Sequence, residues 1–190
     1  MAGRGCKRKG LTQRRRLLKG LLAGAVLAVI APFANLVGYF YRKEEEVSKR
    51  QKLANLKDLS PGSYIFFSYP QTGDPKIDND PFRQYVLIMT HDGHLRVYSR
   101  VCVHLWCLPS YIPSRGALIC PCHGSIYRDT DGVAVDGPAA YQQYPTNALP
   151  MGVIEVDQNG DIWMVGVEGR LGYGREWQRV KPDDLVRRVT

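Results

Sequence analysis

The chain has 190 residues, with 26 Lys and Arg against 18 Asp and Glu, a formal charge of +8 and a sequence pI near 9.3. That length fits one ordinary domain plus an appendage and argues against a multidomain enzyme, while 44% hydrophobic residues exclude a chain disordered throughout. The charge excludes a nucleic-acid footprint once its distribution is read: Arg4, Lys7, Arg8, Lys9, Arg14, Arg15, Arg16 and Lys19 fall in residues 1–19 with no acid among them, and the remaining 18 bases and 18 acids balance.

Residues 20–41 follow this basic tail and carry no ionisable group other than tyrosine. Twenty-two residues at about 1.5 Å per residue reach roughly 33 Å, enough for a single transmembrane helix across a hydrocarbon core of about 30 Å. Pro32 would kink such a helix rather than break it. Tyr39, Phe40 and Tyr41 gather at its far end, where aromatic rings favour the interface. The cations before the span place the N-terminus in the cytoplasm and everything after it outside. Within the tail, Arg14-Arg15-Arg16-Leu17-Leu18-Lys19 resembles the twin-arginine export signal, which implies the plasma membrane of a bacterium and export of a folded domain to its outer side. No small-residue cleavage site follows cleanly, so the segment is expected to stay as an anchor.

Residues 42–58 are highly charged and lack Gly and Pro; Glu45 with Lys49 and Glu46 with Arg50 at i,i+4 spacing predict a short solvated helix serving as linker or hinge. From residue 59 the pattern changes to short apolar or alternating runs, and strands are expected over 64–69, 84–90, 95–99, 117–120, 152–157 and 161–165. Asp92-Gly93 and Asn159-Gly160 supply tight turns between them. Residues 59–166 therefore read as an all-β domain, and the polar, glycine-containing stretch 167–190 as a loosely attached extension.

Four of the five cysteines form two boxes, Cys102-Val103-His104-Leu105-Trp106-Cys107 and Cys120-Pro121-Cys122-His123-Gly124-Ser125. Two short loops that each offer Cys and His point to a metal centre with mixed sulfur and nitrogen ligands. Two cysteines and two histidines could hold tetrahedral zinc, and the two remaining thiols would be expected to pair in an oxidising compartment. Cys6 lies across the membrane from the rest and is expected as a free thiol. His91 and His94 lie outside the boxes, in a turn.

The two boxes resemble the cluster-binding signature of Rieske iron–sulfur proteins, in the form with additional cysteines typical of quinol-oxidising cytochrome bc and cytochrome b–f complexes. The resemblance covers roughly residues 95–157. It implies an antiparallel β-sandwich domain with an inserted cluster-binding part at about 100–140, and one [2Fe–2S] cluster. Cys102 and Cys120 match the thiolate ligands of one iron, His104 and His123 the imidazole ligands of the other, and Cys107 with Cys122 the disulfide that ties the loops. Ser125 and Tyr127 match the hydroxyls that donate to a bridging sulfide and a ligand thiolate, which raises the cluster potential. Gly137-Pro138-Ala139 matches the proline loop over the cluster, and Leu105 the leucine beside the exposed histidine. Trp106 stands where the family usually has Gly.

The resemblance further implies an electron-transfer subunit of a quinol–cytochrome c reductase, without activity alone. Its partners would be a cytochrome b subunit, a c-type cytochrome and membrane quinol, within a dimeric membrane complex, with no nucleic acid. His123 or His104 would take the quinol proton as the cluster takes one electron, His123 being favoured. The alternatives are the small Rieske subunit of an arsenite-oxidase-type molybdoenzyme, a component of a ring-hydroxylating system, and a membrane-anchored zinc module.

Overall fold

The computed structural model describes residues 6–40 and 50–189, which divide between two units, Met1–Glu45 and Glu46–Thr190. The described residues of the first unit form one helix, α1 (Cys6–Phe40). The expected span thus has a helical backbone from Gly20 to Phe40, while Tyr41 and, of the predicted i,i+4 pairs of the linker, Glu45, Glu46 and Lys49 lie outside the described residues; Arg50 is 3.5 Å from Glu155. Leu21, Leu22, Val26, Leu27, Val29 and Ile30 are all half or more exposed, as expected of a helix that is apolar around its circumference and has no single face to bury. Among the described residues no helix is long and apolar enough to cross a membrane. Side chains of α1 are described only over 13–31, a stretch that includes Arg14, Arg15, Arg16 and Lys19 and stops short of Phe33, Leu36 and Val37.

Among its described residues the second unit has eleven strands. Four open it: β1 (Gln51–Asn55), β2 (Tyr64–Ser68), β3 (Gln84–Met89) and β4 (Leu95–Ser99). A separate four-stranded sheet follows, β5 (Ser110–Ile112), β6 (Ala117–Ile119), β7 (Ile126–Arg128) and β8 (Ala134–Asp136), in sequential antiparallel order. The chain then returns to the first sheet with β9 (Met151–Val156), β10 (Asp161–Glu168) and β11 (Val186–Arg188). The larger sheet runs β1-β10-β9-β4-β3-β2, with β11 parallel to β9 and every other pairing antiparallel. The small sheet is therefore the insertion, set between β4 and β9.

The expected two-sheet sandwich takes the form of a nearly closed larger sheet. Its edge strands β1 and β2 are linked by one side chain: Gln51 Nε2 donates to the Ser68 carbonyl at 3.0 Å, and Gln51 Oε1 accepts from the Gln71 N–H at 3.0 Å. The run Gln84-Tyr85-Val86-Leu87-Ile88-Met89 explains why this sheet has two buried faces. Tyr85, Leu87 and Met89 point into one core with Val97, Ile154, Ile162 and Met164. Val86 and Ile88 alternate into the other with Tyr98, Leu118, Tyr127 and Leu149, where the inserted sheet packs.

Two sequence expectations change. The linker expected to reach residue 58 becomes strand β1 at Gln51, paired with β10. Leu53 and Ala54 join the core there, and Lys52 reaches Asp161 at 2.6 Å. A strand with charged outward positions and a partner over a hundred residues away has no local signature. The C-terminal stretch from residue 167 is likewise part of the domain rather than a loose appendage. Leu185 is buried, β11 extends the sheet, and Arg175 is buried beside Glu168 with its guanidinium on the carbonyls of Leu149 and Asp131.

Candidate metal centre

The two cysteine–histidine boxes occupy the β4–β5 and β6–β7 connections, at one end of the inserted sheet. Both loops close by the same hydrogen bonds. In the first, Cys102 N–H donates to the Cys107 carbonyl at 2.8 Å and Trp106 N–H to the Cys102 carbonyl at 2.9 Å. In the second, Cys120 N–H donates to the Ser125 carbonyl at 2.8 Å and Gly124 N–H to the Cys120 carbonyl at 3.0 Å. Each loop thus starts on a cysteine, is closed by the residues four and five positions on, and has left-handed backbone at the fourth: φ is +62° at Trp106 and +74° at Gly124. Gly124 takes this conformation without steric cost, whereas a Trp there is an outlier.

The repeat brings the chemistry together in pairs. Cys102 and Cys120 are free thiols, 1% and 2% exposed, and both belong to the core on which the inserted sheet packs. The rings of His104 and His123 meet edge to face with centroids 4.8 Å apart. His104 is half-buried and His123 exposed. Cys107 and Cys122 form a disulfide between the loops, with Cα atoms 6.4 Å apart. The sulfurs of Cys107, Cys120 and Cys122 lie within 4.8 Å of one another, but two of the three are spent in that disulfide, so Cys120 alone of the trio can ligate. Burial pushes the Cys120 thiol up and the neighbouring Cys102 adds to this, against the lowering influence of the Cys122 and His123 backbone N–H groups. A buried Cys120 thiol whose charged form is disfavoured by burial and by its neighbour, beside the equally buried Cys102, suits a site in which a cation stabilises thiolates.

Two hydroxyls are aimed by the backbone. Val103 N–H donates to Tyr127 Oη at 3.3 Å, and Tyr127 Oη lies 3.0 Å from Cys102 Sγ. With an oxygen lone pair engaged by Val103, the hydroxyl proton is left to donate to sulfur. Burial, followed by the bond to Cys102, pushes the Tyr127 hydroxyl well above its ordinary range, so it remains a donor. Ser125 is fully buried, and its Oγ accepts from Ala139 N–H at 3.2 Å, which again leaves the proton for another acceptor.

A third loop covers the pair. Pro138–Tyr141 is a 3-10 turn entered through Gly137 at φ +73°. A Cβ at Gly137 would lie 2.7 Å from Ser125 Cα and 2.8 Å from the Gly124 carbonyl oxygen, so only glycine permits this approach. Gln142 Nε2 donates to the Val103 carbonyl at 3.1 Å and ties the third loop to the first. Leu105 stands 59% exposed beside His104.

Every site residue expected from sequence falls in this cluster. Sequence reading missed Gln142 and the surroundings of Trp106, whose indole Nε1–H donates to the Gly172 carbonyl at 3.3 Å. The only local sign of these contacts was a bulky ring where a glycine is usual. His91 is an exposed turn residue, with Nε2 2.9 Å from the Pro113 carbonyl.

The donor set of two thiols and two imidazoles, with the Tyr127 hydroxyl against the Cys102 sulfur and the Ser125 proton left for a further acceptor, fits a [2Fe–2S] cluster held by sulfur on one iron and nitrogen on the other. The same four donors could hold zinc, but a closed tetrahedral site gives the buried Ser125 proton no role.

Residues 49–150 match the family described as Rieske [2Fe-2S] domain. The chain is similar to the cytochrome b6-f complex iron-sulfur subunit of Chlorobaculum tepidum, 30% identical over 132 residues that make up 68% of this chain and 67% of that protein. It is also similar to a Rieske subunit assigned to a respiratory nitrate reductase of Haloferax mediterranei, 38% identical over 40% of this chain and 33% of that protein. Among solved structures it resembles the soluble domain of the Rieske protein II from Sulfolobus acidocaldarius, with a TM-score of 0.49 and 26% identity over 71% of this chain and 85% of that one.

Proposed function

The chain belongs to the Rieske [2Fe–2S] family, and we propose that it is the iron–sulfur subunit of a quinol-oxidising complex of the cytochrome bc or b6-f type. In this reading it takes one electron from membrane quinol beside a cytochrome b partner and passes it to a c-type cytochrome. The likeness to a cytochrome b6-f iron-sulfur subunit over two thirds of both chains supports the assignment. The observation that carries it is the contrast within the site: the thiols are buried, while His123 reaches solvent at the end of its loop.

When bound, the [2Fe–2S] cluster accepts one electron, at a potential raised by neutral imidazoles in place of two thiolates. Buried Cys102 and Cys120, with His104 and His123, would hold it. His123, through the ring nitrogen not used for ligation, accepts a hydrogen bond from a quinol hydroxyl and keeps the proton. Tyr127 and Ser125 donate to sulfur and favour the reduced state. The loop at Gly137, the Cys107–Cys122 bridge and Leu105 limit water at the ligands.

Residues 1–19 act as export and orientation signal and residues 20–41 as a single membrane anchor, with the N-terminus cytoplasmic and the domain on the outer side of a bacterial inner membrane. The tether between anchor and domain ends where β1 begins at Gln51. A dimeric complex follows from the proposed partnership. Mild solubilisation and purification through the chain tests the reading. A cytochrome b should accompany it, and the preparation should reduce a c-type cytochrome with quinol. The relative assigned to a nitrate reductase supports a second reading, a relay subunit of a molybdoenzyme, of which the arsenite-oxidase type is one form. A copurifying molybdopterin subunit in place of cytochrome b would establish that one.

A further inference from the structure

Trp106 is the one residue other than glycine with positive φ among the described residues. Its counterpart in the second loop, Gly124, adopts the same conformation without hindrance. A bulky residue stays in left-handed backbone only where its surroundings hold it there, and here they do so from two segments. Phe82, in the β2–β3 connection, meets the indole edge to face with centroids 5.9 Å apart. Tyr173 lies 6.0 Å away on the C-terminal segment. The Gly172 carbonyl accepts the indole N–H at 3.3 Å. Gly172 is shaped to the ring, because a Cβ there would lie 2.5 Å from Trp106 Cδ1. The far side of this socket is fixed as well: Arg170 N–H bonds the Gly174 carbonyl at 2.8 Å, Arg175 N–H bonds the Pro145 carbonyl at 3.1 Å, and a Cβ at Gly174 would strike Thr146 Cα at 2.6 Å. Half of the Trp106 surface is nonetheless open, so burial of the indole alone does not account for the arrangement.

We infer that Trp106 is a positioning residue, a latch that fastens the first ligand loop to the C-terminal segment and so holds Cys102 in register with Tyr127. The connection is direct: Trp106 N–H closes on the Cys102 carbonyl, Val103 N–H bonds Tyr127 Oη, and Tyr127 Oη meets Cys102 Sγ. Releasing the indole lets the loop shift and lengthens the hydroxyl–sulfur bond. A weaker donor to a ligand sulfur lowers the cluster potential. The inference rests on the reading of Cys102 and His104 as cluster ligands.

The test uses the full-length chain in its native membrane, with the midpoint potential and the low-temperature EPR spectrum of the reduced cluster as readouts. A Rieske-type spectrum in the unaltered chain establishes the ligand reading separately from the latch. Trp106→Gly removes the latch while suiting the backbone. Gly172→Ala crowds the indole out of its socket while leaving the residues of the ligand loop unchanged. Both should lower the potential and shift the g-values, and Trp106→Phe, which keeps a ring between Phe82 and Tyr173, should recover most of the difference. If Trp106→Gly and Gly172→Ala both retain the potential and g-values of the unaltered chain, the latch is wrong.

Discussion

The hydroxyls of Ser125 and Tyr127 show how single atoms set the properties of the site. Each has a lone pair occupied by a backbone N–H, from Ala139 and Val103 respectively; the Tyr127 hydroxyl lies 3.0 Å from Cys102 Sγ, and the buried Ser125 proton is left for a further acceptor. Replacing Ser125 with Ala should lower the midpoint potential of the cluster by tens of millivolts. A net change of about 1.4 kcal/mol, typical of one charge-assisted bond, corresponds to about 59 mV for one electron. Potentiometric titration followed by EPR measures this, and an unchanged potential would remove the role given to that hydroxyl. Gly137 is the sharpest steric constraint. Gly137→Ala forces a Cβ to within 2.7 Å of Ser125 Cα in left-handed backbone, a strain of about 1–3 kcal/mol. Thermal unfolding should shift downward accordingly, and the variant should lose its cluster sooner than the unaltered chain.

At the level of elements, the site is two copies of one closed loop, cross-linked and capped by a third. The boxes could be read from sequence because their residues lie within six positions of each other, so spacing alone brings the side chains together. Strand β1 could not, since Lys52 and Lys57 resemble a solvated linker until Asp161 and β10 are placed beside them. The C-terminal segment was hidden for the related reason that its anchors, Arg175 and Glu168, are polar types that ordinarily mark a surface. The Cys107–Cys122 bridge closes a loop of about 15 residues, and in the chain-entropy account its removal by a double Ser substitution costs about 3 kcal/mol. Denaturant unfolding should show that loss. Asp183, in the turn before β11, is 2.7 Å from Arg96 on β4. The Arg96 hydrogen bond and charge, with His94 behind them, hold its carboxyl below the ordinary range. That stabilisation is complete above the unfolded value near 3.9 and is lost as pH falls through the lower folded value. The Asp183 side chain is 67% exposed, so the increment is about 1 kcal/mol or less. Acid titration of Asp183→Asn should lack this increment, whereas the unaltered chain loses it below about pH 4.

For the whole molecule, charge and topology tell one story. The excess of cations is confined to residues 1–19, where the proposed anchor would use it to orient the chain, and the remainder is neutral. The β architecture and the place of the cluster-binding insertion followed from alternating runs and from the boxes. The near-closure of the larger sheet did not, because the Gln51 bond between strands at its opposite edges is a side-chain contact with no local signature. The parallel seating of β11 on β9 also escaped the sequence, being a long-range pairing of a three-residue strand. The central claim is that Cys102, His104, Cys120 and His123 together hold a [2Fe–2S] cluster. Low-temperature EPR of the reduced, full-length chain, combined with metal analysis, tests it most directly. The account predicts two irons per chain and a Rieske-type signal coupled to two imidazole nitrogens, with the normal signal abolished in His123→Cys. An EPR-silent chain containing stoichiometric zinc, or an unchanged spectrum in His123→Cys, would contradict it.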